Sequence, residues 1–421
     1  MRSQDGSGRP AEGLSGGCGL RRFYLPQLDG IRCLAFLLVF VHHAPPAAHL
    51  FESGSTAAWL CERIQEFGWV GVDLFLVLSA YLITTLLLLE HGATGSIELR
   101  DFYVRRMLRI WPIYYLMVAV GFFLLPALGT FAPTFADPRY KAMVSNYLFP
   151  YLTFFGNFAI GRHSYAPVWT LDHLWTIALE EQFYILWPPL LMLLLRGRRR
   201  LVWIVLPLLL VVTIASRAYL VGHSHFPMLW TNTASRLDPL VAGIALAFYR
   251  QVRPALRREV WGGVEFLLGC SVAGLIVLGP MVNVHSYHQI WQFGATALGF
   301  ALVLDAALGA GPVAWFFSRR WIAWLGRLTY GLYVYHILGL QVGGRLAARL
   351  SAVIGVQSPA VLWLVRVGIS LALAIAVAAL SYYTLERFFL RLKARFVHVE
   401  SQPLPGRGPR WQVDATFVLP A

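Results

Sequence analysis

Arg32 and His43 stand eleven positions apart in the apolar stretch LDGIRCLAFLLVFVHH, residues 28–43. At about 100° per residue that separation is three helical turns and about 20°, so both side chains lie on one face, about 16 Å apart along the axis. A guanidinium holds an anion or a developing oxyanion. An imidazole titrates near neutrality, so it can take a proton from a hydroxyl and return it later. Asp29 shares the Arg32 end of the run and His42 the other end. Charged and titratable groups are costly in hydrocarbon, so such a stripe on an apolar helix is expected to face a protein interior or a wet cavity.

Two more stretches carry groups of this kind. In WTLDHLWTIALEEQFYILWP, residues 169–188, Asp172, His173, Glu180, Glu181 and Tyr184 interrupt an otherwise apolar helix. His173, Glu180 and Tyr184 fall at i, i+7 and i+11, near one face, while Glu181 is turned about 100° away. Carboxylates flanked by Leu179 and Phe183 need partners if buried. In DFYVRRMLRIWP, residues 101–112, Arg106 and Arg109 at i and i+3 present two guanidinium forks suited to phosphate, with Arg105 beside them. The same arginines would equally serve as a positive anchor at the inner membrane edge. Asp73, Arg236, Asp238, His336 and Glu386 are single polar residues in or beside apolar runs, and each alone fits a structural pairing as well as a chemical role.

The elements that must position these groups follow from composition. Hydrophobic residues make up 57% of the 421 and charged residues 13%, a balance that excludes an ordinary soluble domain. A net charge of +14 could indicate nucleic acid, but the basic residues are almost all Arg and cluster between apolar runs, as positive-inside topology requires. Cys18, Cys33, Cys61 and Cys270 are scattered without a CxxC or a His at ligand spacing, so neither a zinc site nor a disulfide framework is expected. Residues 1–19 lack the apolar core of a signal peptide, so the first spanning helix is expected to direct insertion.

The fold expected is an all-α integral membrane protein with about ten transmembrane helices and a short re-entrant or interfacial segment at 147–160, where Pro and Gly interrupt an aromatic run. This count puts every strong Arg cluster, and both termini, on the cytoplasmic side of the plasma (inner) membrane. Residues 1–22 and 396–421 are expected to be flexible cytoplasmic tails around a membrane domain over 23–395. Composition alone favours a proton-coupled transporter or flippase of a glycan or lipid-linked precursor, since polar residues along membrane helices suit proton-coupled movement.

The motifs taken in order point elsewhere. LDGIRCLAFLLVFVHH, GWVGVDLFLVLSAYLI, FYVRRMLRIWPIYY, HLWTIALEEQFYILWP, RLDPLVAGIALA, LGRLTYGLYVYH and SYYTLERFFLRL together resemble the membrane acyltransferase-3 family of acyl-CoA-dependent O-acyltransferases, over about residues 26–395. The family's Arg-ten-residues-His signature falls on Arg32 and His43, which singles out His43 rather than His42 as catalytic. Its paired-Arg motif falls on Arg106 and Arg109, and its HxWS…EEQFY helix on His173, Trp175, Glu180, Glu181, Gln182 and Tyr184. Ala80 replaces the usual Gly after Ser79, Tyr335 the usual Trp before His336, and Phe388 a common Pro. None of these removes a titratable group. The soluble esterase-like domain fused to some members is not in the sequence, so the resemblance is to the stand-alone type.

The resemblance implies transfer of an acyl group, often acetyl, from cytoplasmic acyl-CoA to a hydroxyl of a sugar or glycan, with membrane lipid around the protein and no metal or nucleic acid. It implies Arg106 and Arg109, with Arg105, for the donor phosphates. His43 would act as base or be itself acylated, and Arg32 would orient the donor, with Glu180 and Glu181 joining the catalytic group. Asp29, Asp73, His173, Tyr184 and His336 are expected to bind substrate.

Overall fold

The computed structural model describes residues 21–197, 199–252, 259–278, 287–396 and 399–400. The first long helix, α1 (Pro26–His43), opens on a proline suited to the first turn and ends where Pro45 forces Ala44 into extended backbone. Asp29 lies in its first turn and the two histidines in its last, the ends where each charge sign is favoured. The stretch after it contains an amphipathic helix α2 (Thr56–Phe67), capped by the Ser55 hydroxyl, which accepts from the Ala58 amide at 3.2 Å. Next come α3 (Gly71–Thr94), stopped by Gly95 at φ 76°, and α4 (Leu99–Ala119), which continues through a π-turn to Leu128.

The aromatic stretch around 147–160 does not form one continuous helix. Helical backbone runs to Leu152, reverses at Phe154 (φ 58°) and resumes as α5 (Gly156–His163), which at 8 residues is about 12 Å long. Non-helical backbone at depth needs partners from the protein, and here tyrosines and a glutamine supply them. Tyr114 donates to Tyr151 O at 2.8 Å, Tyr115 to Leu152 O at 2.9 Å and Gln182 to Phe154 O at 2.8 Å. The remaining long helices are α6 (Trp175–Leu195), α7 (Val202–His223), α8 (Asp238–Val252), α9 (Glu259–Leu278) and α10 (Gln289–Ala307). A short α11 (Arg320–Arg327) then leads to α12 (Thr329–Ile354), α13 (Pro359–Ser381) and a final α14 (Arg387–Lys393).

Among the described residues seven helices are long and apolar enough to cross a membrane, and α1, α8 and α9 pack between them. The protein is an all-α integral membrane protein. Among the described residues the one departure is a two-residue parallel pairing of Arg21–Arg22 with Val399–Glu400, which joins the two flanks of the membrane domain. Of the expected tails, residues 1–20 and 401–421 lie outside the described residues. The helix α12 runs straight through Gly343, which is a packing glycine and no terminator. A Cβ there would meet Ser370 Cα of α13 at 2.6 Å, and the helix stops instead at Gly355, φ 73°.

Close approach also fixes the start of α1. A Cβ on Gly326 of α11 would collide with the Asp29 carbonyl, and one on Gly30 would collide with the carbonyl of Phe317. The two glycines let α1 seat its Asp29–Arg32 end directly on neighbouring backbone. Helix directions alternate, so the Arg-bearing ends of α1, α4, α6, α7 and α8 gather on one face, and His42 and His43 lie toward the other. These two ends are called below the arginine face and the histidine face.

Candidate active site

Toward the arginine face lies a cavity of about 980 Å³, lined by α1, α3, α4, α6, α12 and α14. Arg32, Arg106, Arg109 and Lys393 reach it, with Glu180 as its carboxylate. Arg32 is ion-paired with Asp29, which also accepts from the Tyr24 hydroxyl at 3.0 Å, so the guanidinium is held from behind. Arg106 and Lys393 are buried, and among the described residues neither they nor Arg109 have an ion-pair partner. Unpaired buried cations are costly, and several in one chamber repel one another. A polyanion relieves both penalties. Glu180 accepts from the Tyr184 hydroxyl at 3.1 Å, and Tyr184 shares a short hydrogen bond with Ser79 of α3.

Toward the histidine face lies a second cavity of about 840 Å³, lined in part by His42, His43, Asp172 and His173. The His43 ring is held by two contacts. Its Nδ1 is 2.9 Å from Val39 O, one turn back, and 3.3 Å from His336 Nε2. A carbonyl oxygen only accepts, so the neutral ring carries its proton on Nδ1 and its lone pair on Nε2. Among the described residues Nε2 has no hydrogen-bond partner. His336 is fully buried, and its own Nδ1 donates to Tyr333 O at 2.6 Å, which leaves its Nε2 free to accept from His43. His173 packs on the other side of His336, ring centroids 4.9 Å apart, and donates through Nε2 to Val334 O at 3.1 Å. The outcome is an imidazole with a fixed tautomer and an available basic nitrogen. Among the described residues no group of three or more His, Cys, Asp or Glu side chains is arranged to hold a metal ion.

Both cavities are lined by Val72 and Tyr333, so they are chambers on the two sides of one thin partition. The Tyr333 hydroxyl donates to His173 O at 2.9 Å and lies 2.6 Å from Thr176 Oγ1, while its ring meets the edge of Phe75, centroids 5.7 Å apart.

The structure therefore sorts the residues expected to act. Arg32, Arg106, Arg109, Glu180 and Tyr184 converge on the arginine-face chamber, and His43 and His173 line the histidine-face chamber with His336 between their rings. His173 and Glu180 are separated along the axis, since seven residues of helix put them about 10 Å apart, and they line different chambers. Four residues are turned elsewhere. Arg105 donates to Glu90 at 2.8 Å and to Phe396 O at 2.7 Å. Glu181 accepts from Trp111 Nε1 at 3.1 Å. Asp73, with no exposure, is paired with Arg236, and Asp29 with Arg32. Lys393 and Ser79 join the arginine-face chamber without having been singled out. The one available signal for Lys393 is its type, since it and Lys141 are the only lysines in an Arg-rich chain.

Residues 25–383 match the family model described as an acyltransferase domain. Among curated proteins the chain is similar to the peptidoglycan O-acetyltransferase OatA of Listeria monocytogenes, 27% identical over 75% of this chain and 49% of the relative. It is also similar to the O-acetyltransferase OatA of Staphylococcus aureus, 30% identical over 74% of this chain and 50% of the relative. The chain thus spans about half the length of the curated relatives it matches. No solved structure matches.

Proposed function

The chain belongs to the acyltransferase domain family, and on that premise we propose that it moves an acetyl group from cytoplasmic acetyl-CoA to a sugar hydroxyl of peptidoglycan. The observation that carries the reading is the back-to-back pair of chambers. One gathers Arg32, Arg106, Arg109 and Lys393, and the other holds His43 with its Nε2 lone pair, with Val72 and Tyr333 between them. Acetyl-CoA has phosphates at one end and a thioester at the end of a long arm, and this charge layout suits it. The positive-inside rule supports a cytoplasmic arginine face, and the pairing of residues 21–22 with 399–400 supports both flanks lying on one side. The acceptor class comes from the two relatives, which are named for O-acetylation.

In this mechanism His43 Nε2 takes the proton of the acceptor hydroxyl as its oxygen attacks the thioester carbonyl carbon. The C–S bond breaks, the electron pair leaves on sulfur, and the same proton passes from Nε2 to the thiolate. The products are an O-acetyl ester and free CoA. While the ring is charged, its Nδ1–H bonds to Val39 O and His336 Nε2 strengthen, since charge-assisted bonds are about twice as strong as neutral ones.

The test is purified protein in detergent with labelled acetyl-CoA and a soluble peptidoglycan fragment. Wild type should release CoA in an acceptor-dependent manner and leave a base-labile acetyl ester on the fragment. His43→Gln should lower transfer about 10²–10⁴-fold with the fold retained, the range for a lost general base. Near-normal activity of that variant sinks the assignment of His43. Glycan movement across vesicles without CoA release would favour a transporter.

A further inference from the structure

Trp69 and Trp230 are poorly explained by the usual role of tryptophan in membrane proteins. Belt tryptophans sit at the interface with their rings outward, as Trp203, Trp291 and Trp321 do here at 52%, 51% and 63% exposure. Trp69 is only 6% exposed and faces inward. It and Trp230 line the histidine-face chamber and also a neighbouring cavity of about 720 Å³ that runs on past Arg63 and Glu66. The pair therefore stands at the join of a two-chamber groove that begins beside His43.

The rings are held from behind. Trp69 and Trp230 meet edge to face, centroids 4.9 Å apart, and Phe293 closes the cluster at 5.3 and 5.5 Å. The Arg236 guanidinium lies 4.1 Å from the Phe293 centroid and 5.2 Å from that of Trp230. Asp73 pairs with Arg236, and neither has any exposure. Isolated charges in hydrocarbon are costly, so a fully buried ion pair locked against three aromatic rings makes the aromatic wall rigid. Asp172 stands in the same chamber. One of its oxygens accepts from the Ala166 amide at 3.1 Å, and among the described residues no cation pairs with it.

A pyranose ring has a flat face of C–H bonds and a rim of hydroxyls. An aromatic wall with a carboxyl group at its side is complementary to both. We propose that this groove is the saccharide seat, in which Trp230 stacks on a ring of the acceptor, Trp69 backs it edge-on, and Asp172 accepts a hydrogen bond from a ring hydroxyl. The Asp73–Arg236 pair then acts as a positioning element for the stacking wall. The proposal rests on the reading of a glycan acceptor and adds the residues that select it.

Binding measured without donor separates the two ideas. A soluble peptidoglycan disaccharide is titrated into purified protein in detergent and followed by tryptophan fluorescence and calorimetry. Wild type should bind. Trp230→Ala and Asp172→Asn should each weaken binding at least tenfold, and Trp230→Tyr, which keeps a stacking face, should restore most of it. In turnover the acceptor KM should rise by the same factor while the acetyl-CoA KM stays unchanged, a split that general misfolding would not give. No binding by wild type, or equal binding by Trp230→Ala and Asp172→Asn, overturns the proposal. If the disaccharide binds through these residues but no CoA is released, the seat stands and acyl transfer fails. If transfer proceeds with the variants' acceptor KM unchanged, acyl transfer stands and the seat is overturned.

Discussion

If the chain transfers acetyl from acetyl-CoA as proposed, replacing Lys393 by Met should make the protein more stable and its donor binding worse. Lys393 is 7% exposed, lines the chamber with Arg32, Arg106 and Arg109, and has no ion-pair partner among the described residues. Without a ligand its charge is desolvated and repelled by like neighbours, so an apolar side chain of similar length should relieve about 1–2 kcal/mol, the low end for replacing buried ions. With acetyl-CoA bound the sign reverses. A charge-assisted hydrogen bond to phosphate is worth about 1.5–3 kcal/mol, and at about 1.4 kcal/mol per tenfold the donor KM should rise about 10- to 150-fold. The acceptor KM should not move. Thermal unfolding in detergent without ligand reads the first effect, and steady-state kinetics with varied acetyl-CoA reads the second. An unchanged donor KM together with reduced stability would show Lys393 to be a structural residue and refute the reasoning.

Two further substitutions separate scaffold from site. Glu90→Ala leaves the buried Arg105 without its carboxylate and should destabilise by about 3–5 kcal/mol, measured as a loss of thermal stability, with donor KM unchanged because Arg105 is turned away from the chamber. A clear rise in donor KM at constant stability would contradict that placement. Gly326→Ala pushes a methyl group into the Asp29 carbonyl and should cost about 1–3 kcal/mol, raising the donor KM as Arg32 shifts. Gly274→Ala in α9 has nothing within 4 Å of the new Cβ and should be neutral or slightly stabilising. Equal effects from the two glycine variants would refute the close-approach argument.

What could be read in advance follows from whether a signal is local. The stripe on α1 was legible because helix geometry alone aligns Arg32 with His43, and the short segment at 147–160 because Pro150 and Gly156 interrupt it within a few residues. The division of labour between the chambers was not. His173 and Glu180 share a face by counting, yet about 10 Å of axial separation puts them on different sides of the partition. Asp73 and Arg236 are 163 positions apart, and no periodicity connects them. Trp69 and Trp230 are ordinary apolar residues in the sequence, and only the fold turns them inward. His336 looked like a lone polar residue near a span, and its value lies in one contact with a residue 293 positions earlier.

The order in which the described helices follow one another gives α14 a particular meaning. α1, α4 and α6 deliver Arg32, Arg106, Arg109 and Glu180 early, whereas Lys393 arrives on α14, close to where Phe396 O receives Arg105 and residues 399–400 pair with 21–22. A chain halted before residue 393 therefore has Arg32, Arg106, Arg109 and Glu180 inserted but lacks one cation of the chamber they line. The cationic chamber is therefore closed only when the two flanks of the membrane domain have met, so its assembly reports on the folding of the whole bundle and not of any one helix.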